Sequence, residues 1–403
     1  MAVINESLYM GYKSDRKLFK YDLGSLTQSD LVASPISWTD SKAIWDGGTK
    51  IYVAGDGSAS SHCSVYPYDI IDNSFGSELS NDGFNSATGG GFVFCMDDWK
   101  NIYLGIGASS TTYGFDMATQ VWNTASIASF TSYGSYGSAM TCIPISATYK
   151  PGYVCYAKGQ GNASFYMIDP LNDVSWTTKA SLPAADFVCG MVWVGEYVYT
   201  LGYYKKLYRY DVNANTWSTM TDIVSDYYSF YGGILASDGD PNGFLYAFNK
   251  ADAKIYAYDI DGDSWSTVVD LAGSLLSNYS WMVHVPQIRF DYLDSDDSTR
   301  LTDPFAINNA VPGTAGTEVK RYLKALEAVG TTVTIQVISD SRTDADAILE
   351  LAPDSGGSPG SWGSSANMGT FTADQSKAFW LRANPAAGTG LGMKQCKIEV
   401  SVA

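Results

Sequence analysis

Between residues 18 and 265 a phrase of alternating aromatics ending in aspartate recurs six times, and few folds accommodate such a repeat. The fullest copy is LYRYDVNANTW, residues 207–217. Tyr208 and Tyr210 alternate, Asp211 follows, a polar turn comes next, and Trp217 closes the phrase. Period-two alternation into a turn and then an aromatic reads as two antiparallel strands tightly joined. The aspartate is suited to accept backbone N–H groups of that turn. Aligned on it, the copies are LFKYD (Asp22), VYPYD (Asp69), TYGFD (Asp116), FYMID (Asp169), LYRYD (Asp211) and IYAYD (Asp259). An aromatic stands six or seven residues later: Phe75, Trp122, Trp176, Trp217 and Trp265, with Gln28 breaking the rule in the first copy.

Upstream of each aspartate lies another strand that ends near glycine: Gly11, Gly55, Gly105, Gly159 and Gly202, with Asn249 in the sixth copy. Asparagine is the next-best residue for a left-handed conformation. Further upstream comes a segment of small and apolar residues, starting at Ser41, Gly89, Ser138, Phe187, Tyr231 and Ser280. That composition suits an innermost strand crowded near an axis. Four short strands in 40–50 residues make a propeller blade. The first copy has no room for an inner strand, and the last inner strand (SWMVHV, residues 280–285) has no Tyr-Asp copy after it. Joined, the two ends complete one blade and remove two sheet edges. The expected fold class is therefore all-β, with a six-bladed propeller over residues 1–286.

The hydrophobic–Tyr–Gly strand, the Tyr-Asp pair and the tryptophan about six residues on resemble the kelch-type repeat over residues 8–285. The double glycine of that family is mostly replaced here: Asp56 follows Gly55 and Tyr203 follows Gly202. The chain is kelch-like in this sense.

After residue 286 the character changes. FDYLDSDDSTRLTD (290–303) is acidic and turn-rich, and residues 287–304 read as a linker. Residues 305–403 alternate short apolar segments with Gly, Ser and Pro loops, which suggests an immunoglobulin-like β-sandwich. VKRYLKALEA, from Val319, fits both the helical and the strand period; strand is favoured because TTVTIQVIS follows. AILEL, Trp362 in its loop, MGTFTADQSKAFWLRANPA and KIEVSVA together resemble small sandwich modules of bacteriophage virion proteins.

Composition narrows the function. A net charge of −17 argues against nucleic acid or anionic membrane as partners. No segment approaches the roughly 18 apolar residues of a membrane span. Residues 1–10 have neither a basic n-region nor an apolar h-region, so no secretory signal is read. The six cysteines form no CxxC pair and most sit in apolar runs, which reads as buried free thiols made in a reducing cytoplasm.

Catalytic chemistry finds little to use. The only histidines are His62 and His284, too few for a copper site and poor material for a nucleophile–histidine set. Carboxylates cluster at Asp97–Asp98, Asp238/Asp240 and Asp259/Asp261/Asp263, as glycoside chemistry would need. The repeat aspartates (Asp22, Asp69, Asp116, Asp169, Asp211, Asp259) and tryptophans (Trp122, Trp176, Trp217, Trp265) recur at one position, which marks turn and packing residues. DGDPNG opens like a calcium loop with Asp238, Asp240 and Asn242, but its twelfth position is Asn249 where a bidentate glutamate belongs. No cofactor is expected apart from that calcium option, and a plain hairpin turn is its alternative. Tyr203, Tyr204, Tyr227 and Tyr228 lie in loops between strands and are candidates for stacking on sugars or anchoring a protein.

The leading expectation is a non-enzymatic structural or interaction protein of a bacteriophage virion, in a tail, neck or surface-accessory position. It would be made in the host cytoplasm, repeat in several copies against other virion proteins, and offer the propeller as a protein- or glycan-binding platform. The alternatives are a host-recognition lectin that binds surface glycans and, third, a glycan-active hydrolase or lyase.

Overall fold

The computed structural model describes residues 6–12, 16–35, 41–56, 63–79, 92–96, 101–106, 112–116, 121–123, 138–143, 153–159, 161–170, 173, 175–185, 188–202, 205–223, 235–237, 242–249, 252–270, 279–285, 290–293, 315–326, 328–338, 349–384 and 397–402. Every regular element among them is a β-strand. The chain divides into two compact units, one over Asn5–Pro144 and Gly152–Pro286, the other chiefly over Gln287–Ala403.

The larger unit contains six four-stranded antiparallel sheets among the described residues. Sheet I holds β1 (Ser7–Tyr12), β2 (Leu18–Asp22) and β3 (Thr27–Asp30). Sheet II is β4 (Lys42–Trp45), β5 (Lys50–Asp56), β6 (Cys63–Asp69) and β7 (Ser74–Phe75). Sheet III is β8 (Phe92–Met96), β9 (Ile102–Ile106), β10 (Thr112–Asp116) and β11 (Val121–Asn123). Sheet IV is β12 (Ala139–Ile143), β13 (Tyr153–Gly159), β14 (Asn162–Ile168) and β15 (Thr177–Thr178). Sheet V is β16 (Val188–Val194), β17 (Tyr197–Gly202), β18 (Leu207–Asp211) and β19 (Thr216–Thr219). Sheet VI is β20 (Leu235–Ser237), β21 (Phe244–Asn249), β22 (Lys254–Asp259) and β23 (Ser264–Asp270). The fourth strand of sheet I comes from far along the chain: β24 (Tyr279–Val285) pairs antiparallel with β1, from Ser7↔Val285 to Gly11↔Trp281.

The first strand of each sheet, β24 standing for sheet I, lies beside the first strand of the next. The series β24, β4, β8, β12, β16, β20 returns to β24, so the arrangement is a closed, propeller-like ring. Crowding there explains the small residues. A Cβ placed on Gly190 of β16 would lie 2.8 Å from the Leu235 Cβ of β20 and 2.9 Å from its backbone nitrogen. At the seam, a Cβ on Gly11 would run into the Trp281 indole.

The apolar core sits between neighbouring sheets, face against face. Tyr52, Ala54 and Val65 of sheet II pack with Phe94, Ile102, Leu104 and Phe115 of sheet III. Leu8, Met10 and Phe19 of sheet I pack with Tyr246, Phe248 and Ile255 of sheet VI. Hydrophobic burial at roughly 25 cal/mol per Å² is therefore repeated at each of these contacts rather than gathered in one centre.

Among the described residues the smaller unit has seven strands in two sheets. β25 (Phe290–Leu293), β26 (Val319–Ala325), β30 (Ser376–Ala383) and β28 (Leu349–Pro353) form one, in that order. β29 (Ser365–Phe371), β27 (Val329–Ile338) and β31 (Lys397–Val402) form the other. Leu323, Leu351, Phe379 and Leu381 of the first sheet share one core with Val333, Ile335, Ala366 and Phe371 of the second. The linker expected from the sequence is corrected at its start. Phe290–Leu293, assigned there to the linker, forms a strand on β26 and buries Leu293. Among the described strands, β26 pairs with β30, and β27 pairs with both β29 and β31.

Candidate functional site

The repeat aspartates of four copies cap their own turns. The Asp22 carboxylate accepts from Ser25 N–H at 2.8 Å, Asp69 from Ile71 at 2.9 Å, Asp211 from Ala214 at 2.8 Å and Asp259 from Gly262 at 3.0 Å. Asp169 is buried, and its backbone N–H donates to Asp173 Oδ2 at 2.9 Å. The Asp116 side chain lies outside the described residues.

Four residues after the aspartate the chain turns left-handed, at Asn73 (φ 47°), Asn215 (φ 52°) and Asp263 (φ 42°). These side chains do double work. Each accepts the hydroxyl of the repeat tyrosine, from Tyr68 at 2.9 Å, Tyr210 at 2.7 Å and Tyr258 at 2.6 Å. Each also accepts a backbone N–H from the preceding sheet's trailing segment: Val32 at 3.1 Å, Ala180 at 2.9 Å and Thr221 at 2.9 Å. The tryptophan completes the clamp. Trp217 Nε1 donates to Ala180 O at 2.8 Å, Trp265 Nε1 to Thr221 O at 2.9 Å, and Trp122 Nε1 to Leu79 O at 3.1 Å. Burial, with the neighbouring Asp263 carboxylate, pushes the Tyr258 hydroxyl well above its ordinary range. The Tyr258 hydroxyl in turn holds Asp263 below the usual carboxylate range. Such groups join neighbouring sheets.

The first copy has Leu26 and Gln28 where others have the clamp residues, and Leu26 is 60% exposed. Its seam with sheet VI is held differently. His284 on β24 is buried, stacks on Tyr246 with ring centroids 5.4 Å apart, and places Nε2 2.9 Å from Glu6 Oε1. The histidine therefore faces the neighbouring sheet and serves the closure.

Of the binding residues proposed from sequence, Tyr203, Tyr204, Tyr227, Tyr228, Asp238 and Asp240 lie outside the described residues. Asn242 sits in an exposed turn before β21. Among the described residues, no group of three or more His, Cys, Asp or Glu is placed to hold a metal ion. Among the described residues, no helix is long and apolar enough to cross a membrane.

The feature that sequence reasoning missed is the solvent-side face of the four-stranded sheet in the smaller unit. Period-two alternation sends Leu323, Phe379 and Leu381 into the core and leaves Lys320, Tyr322, Trp380 and Arg382 on the opposite face. Register sets Trp380 beside Lys320 on one side and Ala352 on the other. Lys320 Nζ lies 5.1 Å from the Tyr322 ring centroid and 5.8 Å from that of Trp380. Arg382 lies over the Trp362 ring at 4.1 Å, donates to Glu350 Oε2 at 2.7 Å and pairs with Glu318 at 3.7 Å. Trp380 Nε1 donates to Asp354 Oδ1 at 2.8 Å, and that bond holds Asp354 below the usual carboxylate range. Three half-buried aromatic rings, in contact with cations and carboxylates, thus form one patch. Trp, Tyr and Arg are the side chains that most often anchor interfaces. The sequence signal was present in K-x-Y and W-x-R, but it needed the strand pairing to bring the two together.

No protein-family profile matches the chain, and no curated protein matches it. Among solved structures, the crystal structure of a nidogen/laminin complex, a β-propeller-containing structure, is similar. The match has a TM-score of 0.50 at 9% identity and covers 70% of this chain and 98% of that one. What the two share is the propeller-like all-β fold. At that identity the likeness carries fold alone, and the site is argued from its own geometry.

Proposed function

We propose that the chain is a non-enzymatic structural and interaction protein of a bacteriophage virion. In this reading the larger unit is a six-bladed, kelch-like propeller, and the smaller unit docks on the particle through Tyr322, Trp362, Trp380 and Arg382. The observation that carries the interaction role is the division of labour among the aromatics. In the repeats they are spent on clamps between sheets, whereas in the smaller unit a cluster of them lies on a sheet face away from the core. The virion assignment is supported by the resemblance of AILEL, the Trp362 loop and FW-x-R to virion sandwich modules. Mass spectrometry of purified particles tests it: the protein is expected in several copies per particle, and its absence refutes the assignment. Trp380→Ala with Arg382→Ala is expected to lower its retention on particles without unfolding it.

A second reading follows from the same patch. Flat aromatic rings beside charged side chains also suit sugar rings, as a host-recognition lectin requires. A glycan array with the full chain separates the two: specific binding lost in Trp380→Ala favours the lectin.

A further inference from the structure

We infer that Cys95 and Cys142 are a dithiol pair that closes to a disulfide and joins sheets III and IV covalently when the protein meets an oxidant. Cys95 is on β8 and Cys142 on β12, the neighbouring inner strands of the ring. Their sulfurs are 2.9 Å apart, about 0.9 Å beyond a bonded S–S distance of roughly 2.05 Å. The residues around them, Val93, Tyr103, Met140, Val154 and Tyr156, form the apolar contact between the two sheets. The bond would thus span an interface already closed by packing. Neither strand need leave its sheet, because register places Cys95 opposite Tyr103 and Cys142 opposite Val154.

The environment also orders the chemistry. Cys142 is partly exposed, while Cys95 and Cys155 are buried. Burial first, and the neighbouring Cys95 second, push the Cys155 thiol well above its ordinary range, so it stays protonated and inert. With hydrogen peroxide as oxidant, the Cys142 thiolate attacks one peroxide oxygen, the O–O bond breaks, and hydroxide leaves and takes up a proton as water. The resulting sulfenic acid is attacked by the Cys95 sulfur. Its S–O bond breaks, the Cys95 proton goes to the departing hydroxide, and a second water forms. Two thiols and one peroxide give one disulfide and two waters.

The test uses the full chain treated with hydrogen peroxide. Remaining thiols are alkylated under denaturing conditions, and unreduced peptides are mapped by mass spectrometry. A Cys95–Cys142 linked peptide, released by dithiothreitol, with Cys155 still alkylated, is the expected result. Cys155→Ser should leave the link intact, and Cys142→Ser should abolish it. A link from either residue to Cys155, or conversion of Cys142 to sulfinic acid with Cys95 still a free thiol, would overturn the inference. So would retention of both thiols at a peroxide dose that oxidises a free cysteine peptide.

Discussion

Asn215 gives the sharpest test of how the ring holds together. Its side chain accepts from the Tyr210 hydroxyl and from Ala180 N–H, and its own backbone is left-handed. Asn215→Ala removes both bonds. Tyr210 is fully buried, so its hydroxyl loses its partner away from water, at a cost of about 1–3 kcal/mol. The Ala180 N–H is exposed, and water replaces most of what it loses, leaving about 0.5 kcal/mol. Alanine in the left-handed region costs about 1 kcal/mol more. The sum is about 3 kcal/mol, or roughly 6 °C or more in the melting temperature of a unit this size. Differential scanning calorimetry of the full chain reads it. Asn215→Gly should recover about 1 kcal/mol of the loss, since glycine tolerates the turn. Leu26→Ala occupies the equivalent place without a clamp and should move the transition far less. If Asn215→Ala shifts the transition by less than 2 °C, or no more than Leu26→Ala does, the clamp contributes nothing and the reasoning fails.

Leu26→Asn should stabilise the larger unit by about 0.5–1 kcal/mol by relieving a left-handed leucine at φ 56°, read as a higher urea midpoint with an unchanged slope. Gly11→Ala drives a methyl into the Trp281 indole at the seam and should cost about 1–3 kcal/mol, seen as a lower thermal midpoint. Asp263 and Asp354 both have folded pKa values below the ordinary carboxylate value of about 3.9, so their stabilisation is complete above that pH and is lost as pH falls through the folded values. Tyr258→Phe and Trp380→Phe should each flatten the stability–pH curve below about pH 4; an unchanged slope in both variants refutes the assignment. Closing Cys95 to Cys142 spans 47 residues and should add about 4 kcal/mol on a chain-entropy estimate, lost on reduction.

The strands of the larger unit could be read from the chain because each carries its own local signal. Alternation, a turn aspartate and a glycine lie within ten residues of one another, and the strands starting near Ser41, Gly89 and Ser138 form as β4, β8 and β12. The clamp was not legible. Asn73, Asn215 and Asp263 look like ordinary turn residues, and their partners sit 41, 35 and 42 residues away in another sheet. The aromatic patch was hidden for the same reason: Lys320 and Trp380 become neighbours only through the pairing of β26 with β30, a pairing that skips three strands. Short acidic stretches misled at Phe290–Leu293, where the alternation of FDYL outweighed the surrounding charge.

The pairing of Ser7 with Val285 sets the first and last strands of the larger unit side by side, with backbones about 5 Å apart. A body whose first and last strands adjoin in this way is a cassette. It can be spliced into a surface loop of another protein without parting that protein's own strands by more than a hairpin's width. Equally, joining residues 6 and 286 and cutting between any two sheets gives a permuted chain with the same contacts. The new ends would then fall where no strand from the far end of the chain is needed to complete a sheet.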